Sequence, residues 1–101
     1  MLACKNSNVK YFIFYSSCSV YGNTKGSVSE RKKPDPWGYY AYTKLKGEEL
    51  VKEYSKKLDI NYGILRYFNV AGASDTGKID QIESNGQLVK NIAIQSLKKI
   101  L

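Results

Sequence analysis

The fold of this chain is decided by the run Val9-Lys10-Tyr11-Phe12-Ile13-Phe14-Tyr15. Aromatic and β-branched residues follow one another there almost without a break. Such a run is typical of a strand that is buried on both faces of a parallel sheet. The polar run Ser16-Ser17-Cys18-Ser19 follows directly. Because open α/β sheets bind ligands at the carboxyl ends of their strands, we expect Ser17 to lie at a binding edge.

Two helices and a second strand are predicted after this first strand. A long polar loop with glycine and proline leads to a helix that begins at Gly38 or Tyr39 and ends near Leu58. Tyr62–Phe68 has the character of a second buried strand, and a second loop leads to a last helix over Gln87–Leu101. The order strand–loop–helix–strand–loop–helix predicts an α/β fold with two parallel strands. Two strands cannot bury both of their faces alone, so we expect them to form part of a larger sheet.

The first helix is predicted to be amphipathic. An acid and a lysine recur on it at i,i+4 spacing, as Glu48 with Lys52 and as Glu53 with Lys57, which is typical of ion pairs on a helix surface. The residues expected to share the stripe that faces the sheet are Tyr40, Lys44, Gly47, Val51, Tyr54 and Leu58.

Composition limits the classes of protein to which the chain can belong. Its 101 residues are enough for one small domain, and they include no histidine, which excludes histidine-based triads. The two cysteines form no metal-binding or disulfide pattern, so we expect no metal site. No apolar run approaches the ~20 residues of a membrane helix, and the first residues lack the apolar core of a secretory signal. These features predict a cytoplasmic protein that does not bind membranes.

The net charge of +7 suits either nucleic acid or a small anionic ligand. The only dense basic cluster is Arg31-Lys32-Lys33, which lies in the predicted loop. The sequence contains no nucleic-acid recognition motif and no basic platform with interleaved aromatic residues. We therefore rank nucleic-acid binding last and expect an anionic small molecule.

Tyr40 and Lys44 are the candidate reactive pair. They are four residues apart, so on a helix they share one face about one turn apart. A free phenol titrates near ~10, and a tyrosine that acts as a base near neutrality therefore needs a neighbouring cation. Ser17 lies 23 residues before Tyr40 and is placed to offer a hydroxyl to the same substrate atom. For an isolated pair of this spacing, a packed tyrosine and a solvated lysine is the commoner interpretation, so the surrounding motifs decide.

Those motifs resemble one enzyme family. Ser-Ser-x-x-Val-Tyr-Gly ends at Gly22, Tyr-x-x-x-Lys spans Tyr40–Lys44, and Arg-Tyr-Phe-Asn spans Arg66–Asn69. Their order and spacing resemble the extended short-chain dehydrogenase/reductase family, closest to its UDP-glucose 4-epimerases. The resemblance implies a Rossmann-type sheet and the interconversion of UDP-glucose and UDP-galactose through a 4-keto intermediate, with NAD as cofactor.

The resemblance also implies roles for individual residues. Tyr40 corresponds to the base that takes the proton of the sugar 4-hydroxyl, and Lys44 to the lysine that holds the nicotinamide ribose. Ser17 corresponds to the serine that hydrogen-bonds the 4-hydroxyl. Tyr67 matches a residue that lines the nicotinamide, and Asn69 matches one that contacts the UDP-hexose.

Gln87 and Leu88 fall where the family often has Asn-Leu or His-Leu at the uridine diphosphate. This correspondence depends on a loop of variable length. We expect Gln87 to approach the substrate from the last helix and Asn69 to lie beside Ser17.

The chain departs from the family pattern in one main respect. The Gly-x-x-Gly-x-x-Gly turn that cradles the cofactor pyrophosphate does not occur in residues 1–101. We therefore interpret residues 1–101 as a central fragment of an NAD-dependent epimerase/dehydratase domain. Its Rossmann-type sheet is incomplete without the N-terminal dinucleotide-binding half, and we expect the chain to be inactive alone. A homodimer or a complementing chain is the partner that we expect.

Two alternatives remain open. A nucleotide-sugar 4,6-dehydratase usually has an acidic residue directly after the position of Ser17, whereas Cys18 and Ser19 stand there in this chain. The other alternative is a non-catalytic remnant that donates its strands to a full-length partner.

Overall fold

The computed structural model describes residues 1–72, 74–77 and 88–98. The chain divides into two units, Met1–Phe68 and Asn69–Leu101. The described elements, in chain order, are a short 3₁₀ helix Leu2–Asn6, strand β1 Tyr11–Ser17, a 3₁₀ turn Cys18–Tyr21, helix α1 Tyr39–Leu58, strand β2 Asn61–Tyr67 and helix α2 Leu88–Lys98. This α/β order confirms the prediction from the sequence.

The two strands pair in parallel, as predicted. The register runs from Tyr11 opposite Asn61 to Ser17 opposite Tyr67. Strand β1 therefore extends two residues beyond the predicted end at Tyr15, because Ser16 and Ser17 still pair with β2. Ser17 and Tyr67 consequently end their strands side by side at one edge of the sheet.

Helix α1 has the predicted bounds, Tyr39–Leu58. Gly38 precedes it with a φ of 90°, a conformation that a residue with a Cβ adopts only rarely. After the last turn, Asp59 adopts the left-handed conformation and its N–H donates to the Ser55 carbonyl. The helix thus has a defined beginning and end, which fixes where Tyr40 lies along it.

The predicted stripe of α1 is confirmed in part, since Val51 is buried and Lys44, Gly47, Tyr54 and Leu58 are half-buried. The buried residues of the helix are Ala41, Glu48, Val51 and Ser55, and Tyr40 is 59% exposed. Gly47, a member of that stripe, lies so close to β1 that a Cβ there would be 2.4 Å from Phe14 Cζ. The prediction is wrong for Tyr40, whose ring is exposed, and it missed the buried polar side chains of Glu48 and Ser55.

The two faces of the strand pair differ in cover. Residues Phe12, Phe14, Ser16, Ile64 and Arg66 lie on the face towards α1, which we call the covered face. The opposite side carries Tyr11, Ile13, Tyr15, Leu65 and Tyr67, which we call the open face. The prediction that β1 is buried on both faces is wrong for the described structure, since Tyr11, Ile13 and Tyr15 are 73%, 58% and 62% exposed.

The second unit contains helix α2, Leu88–Lys98, where the sequence predicts a helix over Gln87–Leu101. Gln87 and residues 99–101 lie outside the described residues. Leu88, Ile92 and Leu97 are exposed. Neither α1 nor α2 is long and apolar enough to cross a membrane.

Candidate active site

Lys44 joins helix α1 to strand β1. Its Nζ donates a hydrogen bond of 2.9 Å to the carbonyl oxygen of Tyr15, two residues before the end of β1. The same Nζ lies 5.6 Å from the ring centroids of Phe14 and Tyr40. The ammonium group is therefore held near the carboxyl end of β1, one helical turn after Tyr40, as the spacing predicts.

Tyr40 lies in the first turn of α1, and its ring is exposed rather than packed in the core. Its backbone carbonyl accepts a hydrogen bond of 2.7 Å from Thr43 Oγ1. The cation of Lys44 is within the distance at which an ammonium interacts with an aromatic ring. A substrate can reach the Tyr40 ring from solvent, which the interpretation as a packed core residue does not allow.

Ser17 is the last residue of β1 and is half-buried. Its Oγ accepts hydrogen bonds from the Ser19 backbone N–H at 3.2 Å and from Ser19 Oγ at 2.9 Å. Both bonds use lone pairs of Ser17, so its own hydroxyl proton can be donated to a further oxygen. The turn that follows β1 thereby orients the Ser17 hydroxyl as a donor.

Tyr67 ends β2 directly opposite Ser17 in the register. Its exposed ring meets the ring of Tyr15 edge-on, with centroids 5.4 Å apart and an angle of 70° between the planes. Lys44 binds the Tyr15 carbonyl. Ser17, Lys44 and Tyr67 are therefore gathered at the carboxyl end of the strand pair.

Three predicted substrate-binding residues lie apart from this group in the chain. Asn69 is exposed and belongs to the second unit, and Leu88 begins helix α2 and is also exposed. Gln87 lies outside the described residues. Their proposed contacts with the substrate remain predictions.

One group of polar residues was missed by the sequence analysis. Glu48 is fully buried, and its Oε1 accepts hydrogen bonds from Ser16 Oγ at 2.6 Å and from Arg66 Nε at 2.8 Å, while its Oε2 accepts from Arg66 Nη2 at 2.5 Å. We call this group the Ser16–Glu48–Arg66 cluster. The prediction of a Glu48–Lys52 surface pair is wrong, because Glu48 points at the sheet. The Glu53–Lys57 pair is confirmed, at 2.5 Å.

The cluster keeps its two charges at neutral pH. Burial by itself raises the pKa of Glu48, but hydrogen bonds from Arg66 and Ser16 outweigh burial and lower the pKa below its ordinary value of 4.5. The hydrogen bond to Glu48 raises the pKa of Arg66 above its ordinary value, and Tyr21 adds to the effect. The guanidinium carbon also lies 4.6 Å from the centroid of the Tyr21 ring.

One feature of the sequence points to this cluster. Arg66 is the single charge within the apolar run Ile64-Leu65-Arg66-Tyr67-Phe68. A charged side chain in a covered strand is almost never buried without a partner. An acid on the helix that covers the strand is the expected partner, and Glu48 fulfils that role.

No metal centre is formed by the described residues, since they contain no group of three His, Cys, Asp or Glu side chains that could hold an ion. Cys4 and Cys18 are both free and half-buried.

The chain is similar in sequence to known proteins. Residues 1–98 match the NAD dependent epimerase/dehydratase family. The chain is 40% identical to a UDP-glucose 4-epimerase of Lactobacillus helveticus over 80 residues, which are 78% of this chain and 24% of that protein.

Two solved structures are also similar. UDP-glucuronic acid 4-epimerase of Bacillus cereus, in complex with UDP-glucuronic acid and NAD, is 46% identical with a TM-score of 0.67, over 71% of this chain and 23% of that one. UDP-glucose 4-epimerase of Brucella ovis, in complex with NAD, is 32% identical with a TM-score of 0.69, over 78% of this chain and 25% of that one. The chain thus spans about a quarter of the length of the relatives that it matches.

Proposed function

This chain belongs to the NAD dependent epimerase/dehydratase family, and we propose that it supplies the tyrosine–lysine part of the active site of an NAD-dependent UDP-sugar 4-epimerase. The observation that carries the proposal is the hydrogen bond from Lys44 Nζ to the Tyr15 carbonyl. This bond brings the lysine of the Tyr-x-x-x-Lys motif to the carboxyl end of the strand pair, where Ser17 and Tyr67 lie. Ligands of open α/β sheets bind at that edge.

The residues present fit a nicotinamide ribose. The Lys44 ammonium group has three N–H donors, and Tyr15 accepts one of them among the described residues. The other two suit the paired hydroxyls of a ribose, and the exposed Tyr67 ring at the carboxyl end of β2 offers an apolar surface for the nicotinamide. Bound NAD would supply the acceptance and return of a hydride at C4 of the sugar.

The protein residues would handle the proton and the orientation of the sugar. Tyr40 would take the proton of the 4-hydroxyl as general base, because its ring is exposed to a substrate and the Lys44 ammonium group lies 5.6 Å from the ring centroid. Ser17 would donate its hydroxyl proton to the same oxygen and hold it in place. Asn69, Gln87 and Leu88 are proposed to bind the UDP-hexose.

We propose UDP-glucose and UDP-galactose as the substrate pair, which would place the reaction in galactose metabolism. The similarity to UDP-glucose 4-epimerases of two bacteria supports this choice. The similar Bacillus cereus enzyme acts on UDP-glucuronic acid, so an assay must compare both sugars. A 4,6-dehydratase is less well supported, because Cys18 and Ser19 follow Ser17 where dehydratases usually carry an acid.

We also propose that residues 1–101 need a complementing segment for activity. A pyrophosphate in this fold binds at a glycine-rich turn before a helix, and that motif does not occur in residues 1–101. The exposed open face of the sheet offers a surface on which such a segment, or a second protomer, would pack.

The test is to purify the 101-residue chain, titrate it with NAD by calorimetry and assay the conversion of UDP-galactose and UDP-glucuronic acid. The assay is repeated after addition of a segment of a similar epimerase that carries the glycine-rich turn. We expect negligible NAD binding and no turnover by the chain alone, and turnover by the mixture. Saturable micromolar binding of NAD by the chain alone would show that the need for a complementing segment is wrong.

A further inference from the structure

We infer that Glu48 is a positioning residue, which acts through Ser16 and Arg66 to hold Tyr40 and Lys44 at the carboxyl end of the strands. The inference rests on the proposed function for the meaning of the site residues. The placement of Lys44 can nevertheless be measured without cofactor or substrate.

The first support is the position of each member of the cluster relative to the site. Ser16 immediately precedes Ser17 in β1, and Arg66 immediately precedes Tyr67 in β2. Glu48 lies one turn after Lys44 on α1. The cluster therefore connects, within one residue or one helical turn, each of the three elements that carry a candidate site residue.

The second support is the direction of the bonds. Both carboxylate oxygens of Glu48 bind the guanidinium group of Arg66, and Oε1 also accepts from Ser16. A bidentate arginine–carboxylate pair requires a defined plane and distance, whereas an apolar contact tolerates sliding and rotation. The cluster consequently fixes the rotation of α1 about its axis relative to both strands.

Rotation matters because Lys44 reaches β1 through a single described hydrogen bond. Each residue of a helix advances by about 100° around the axis, so a shift by one residue would carry the Lys44 ammonium group away from the Tyr15 carbonyl. The close approach of Gly47 to Phe14 limits the separation of helix and strand. It does not by itself specify a rotation as sharply as three directed hydrogen bonds do.

Stability alone does not explain a fully buried charge. Buried ion pairs can often be replaced by apolar residues of similar volume without loss of stability, because the desolvation of the two charges offsets their attraction. The structure therefore assigns the pair a role in geometry, which an apolar replacement would not preserve.

The experiment uses NMR spectroscopy of the 101-residue chain and of the double variant E48M/R66M. In the wild-type chain we expect nuclear Overhauser contacts from the Lys44 ε-protons to the rings of Phe14 and Tyr40, since Nζ lies 5.6 Å from both centroids. In the double variant, unfolding by urea should be unchanged while these contacts are lost. Lys57, whose Nζ lies 5.4 Å from the Tyr54 ring on the same helix, is the internal control and should keep its contacts.

The matched control variant is E53Q, which removes an exposed acid from the same helix and should leave the Lys44 contacts intact. Retention of those contacts in a folded E48M/R66M chain, or their absence from the wild-type chain, overturns the inference. If the double variant fails to fold, S16A decides, because it removes only one hydrogen bond of Glu48: weaker Lys44 contacts support the inference and unchanged contacts overturn it. Failure of the proposed function would appear in turnover assays and would leave these contacts unchanged.

Discussion

The two faces of the strand pair are built differently. On the covered face, helix α1 packs on the strands, and the Ser16–Glu48–Arg66 cluster binds helix and strands together with hydrogen bonds of 2.5–2.8 Å. On the open face, Tyr11, Ile13 and Tyr15 carry large side chains that are exposed. The same strands thus have one face that is held by directed hydrogen bonds and one face whose large side chains are exposed.

The covered face and the open face contribute differently to the geometry of the site and to stability. The covered face fixes the angle at which α1 presents Tyr40 and Lys44, because the Lys44 bond to Tyr15 lies on the same helix as Glu48. The open face adds little to the stability of these residues alone, because burial of apolar area stabilises only when the area is removed from water. Variants on the covered face should therefore have larger effects than variants on the open face.

The largest effect is expected from Arg66→Met. This change leaves the carboxylate of Glu48 buried without its partner, and such a loss typically costs about 3–5 kcal/mol of unfolding free energy. Urea denaturation followed by circular dichroism measures it. The exposed Glu53–Lys57 pair provides the control, since Lys57→Met breaks a solvent-screened pair and should change the unfolding free energy far less. Equal losses from the two variants would contradict the distinction between buried and exposed pairs.

The next largest effect is expected from acid, which should lower the unfolding free energy through Glu48 on the covered face. The pKa of Glu48 in the folded chain lies below 4.5, so the stability that its charge contributes is present at neutral pH and is lost as the pH falls through the lowered pKa. Unfolding free energies measured between pH 7 and pH 3 should decline, and the E48M/R66M chain should decline less steeply. Parallel pH profiles for the two chains would show that Glu48 contributes no such linkage.

A smaller loss is expected from Gly47→Ala. The added Cβ would lie 2.4 Å from Phe14 Cζ, so α1 or the ring must move, and overpacking of this kind costs about 1–3 kcal/mol. Alanine recovers up to ~1 kcal/mol through its better helix propensity. The second variant G47A/F14L should recover most of the loss, because it removes the ring that the Cβ meets. A stabilised G47A chain would show that the space between α1 and β1 accommodates a Cβ without strain.

The smallest effect is expected on the open face. Ile13 is 58% exposed, so Ile13→Ser should change the unfolding free energy by less than about 0.5 kcal/mol. The same change should reduce the binding of a hydrophobic dye, since it decreases the exposed apolar area of the open face. A loss comparable with that of Arg66→Met would indicate that the open face is covered in solution by another copy of the chain.

The sequence predicted those features that local patterns specify. The bounds of α1 followed from the glycine and proline before Tyr39 and from the turn after Leu58, and the parallel pairing followed from two apolar runs separated by a helix. The spacing of Tyr40 and Lys44 placed both on one side of that helix. The helix bounds and the Tyr40–Lys44 spacing depend on neighbours within a few residues, and the pairing follows from the chain order strand–helix–strand, which favours parallel strands.

Features that depend on packing were not predictable in the same way. The rotation of α1 is decided by the contact of Gly47 with Phe14 and by the bonds of Glu48 to β1 and β2, and these residues are far apart in the sequence. Glu48 also has a lysine at i+4, which made a surface pair the simpler interpretation. The roles of Ser17, Tyr40, Lys44 and Tyr67 stay proposals, because a cofactor and a sugar must be present to test them.

The most direct measurement of the central claim is the turnover of a chimera. Its host is the UDP-glucuronic acid 4-epimerase of Bacillus cereus, in which residues 1–72 of this chain replace the matching segment. Tyr40→Phe removes the hydroxyl of the proposed base, whereas Tyr42→Phe removes the hydroxyl of another exposed tyrosine two residues away on the same helix. We predict that the chimera epimerises its UDP-sugar and that kcat falls at least about 100-fold with Tyr40→Phe but stays unchanged with Tyr42→Phe. Equal turnover by the two variants would contradict the assignment of Tyr40 as the base.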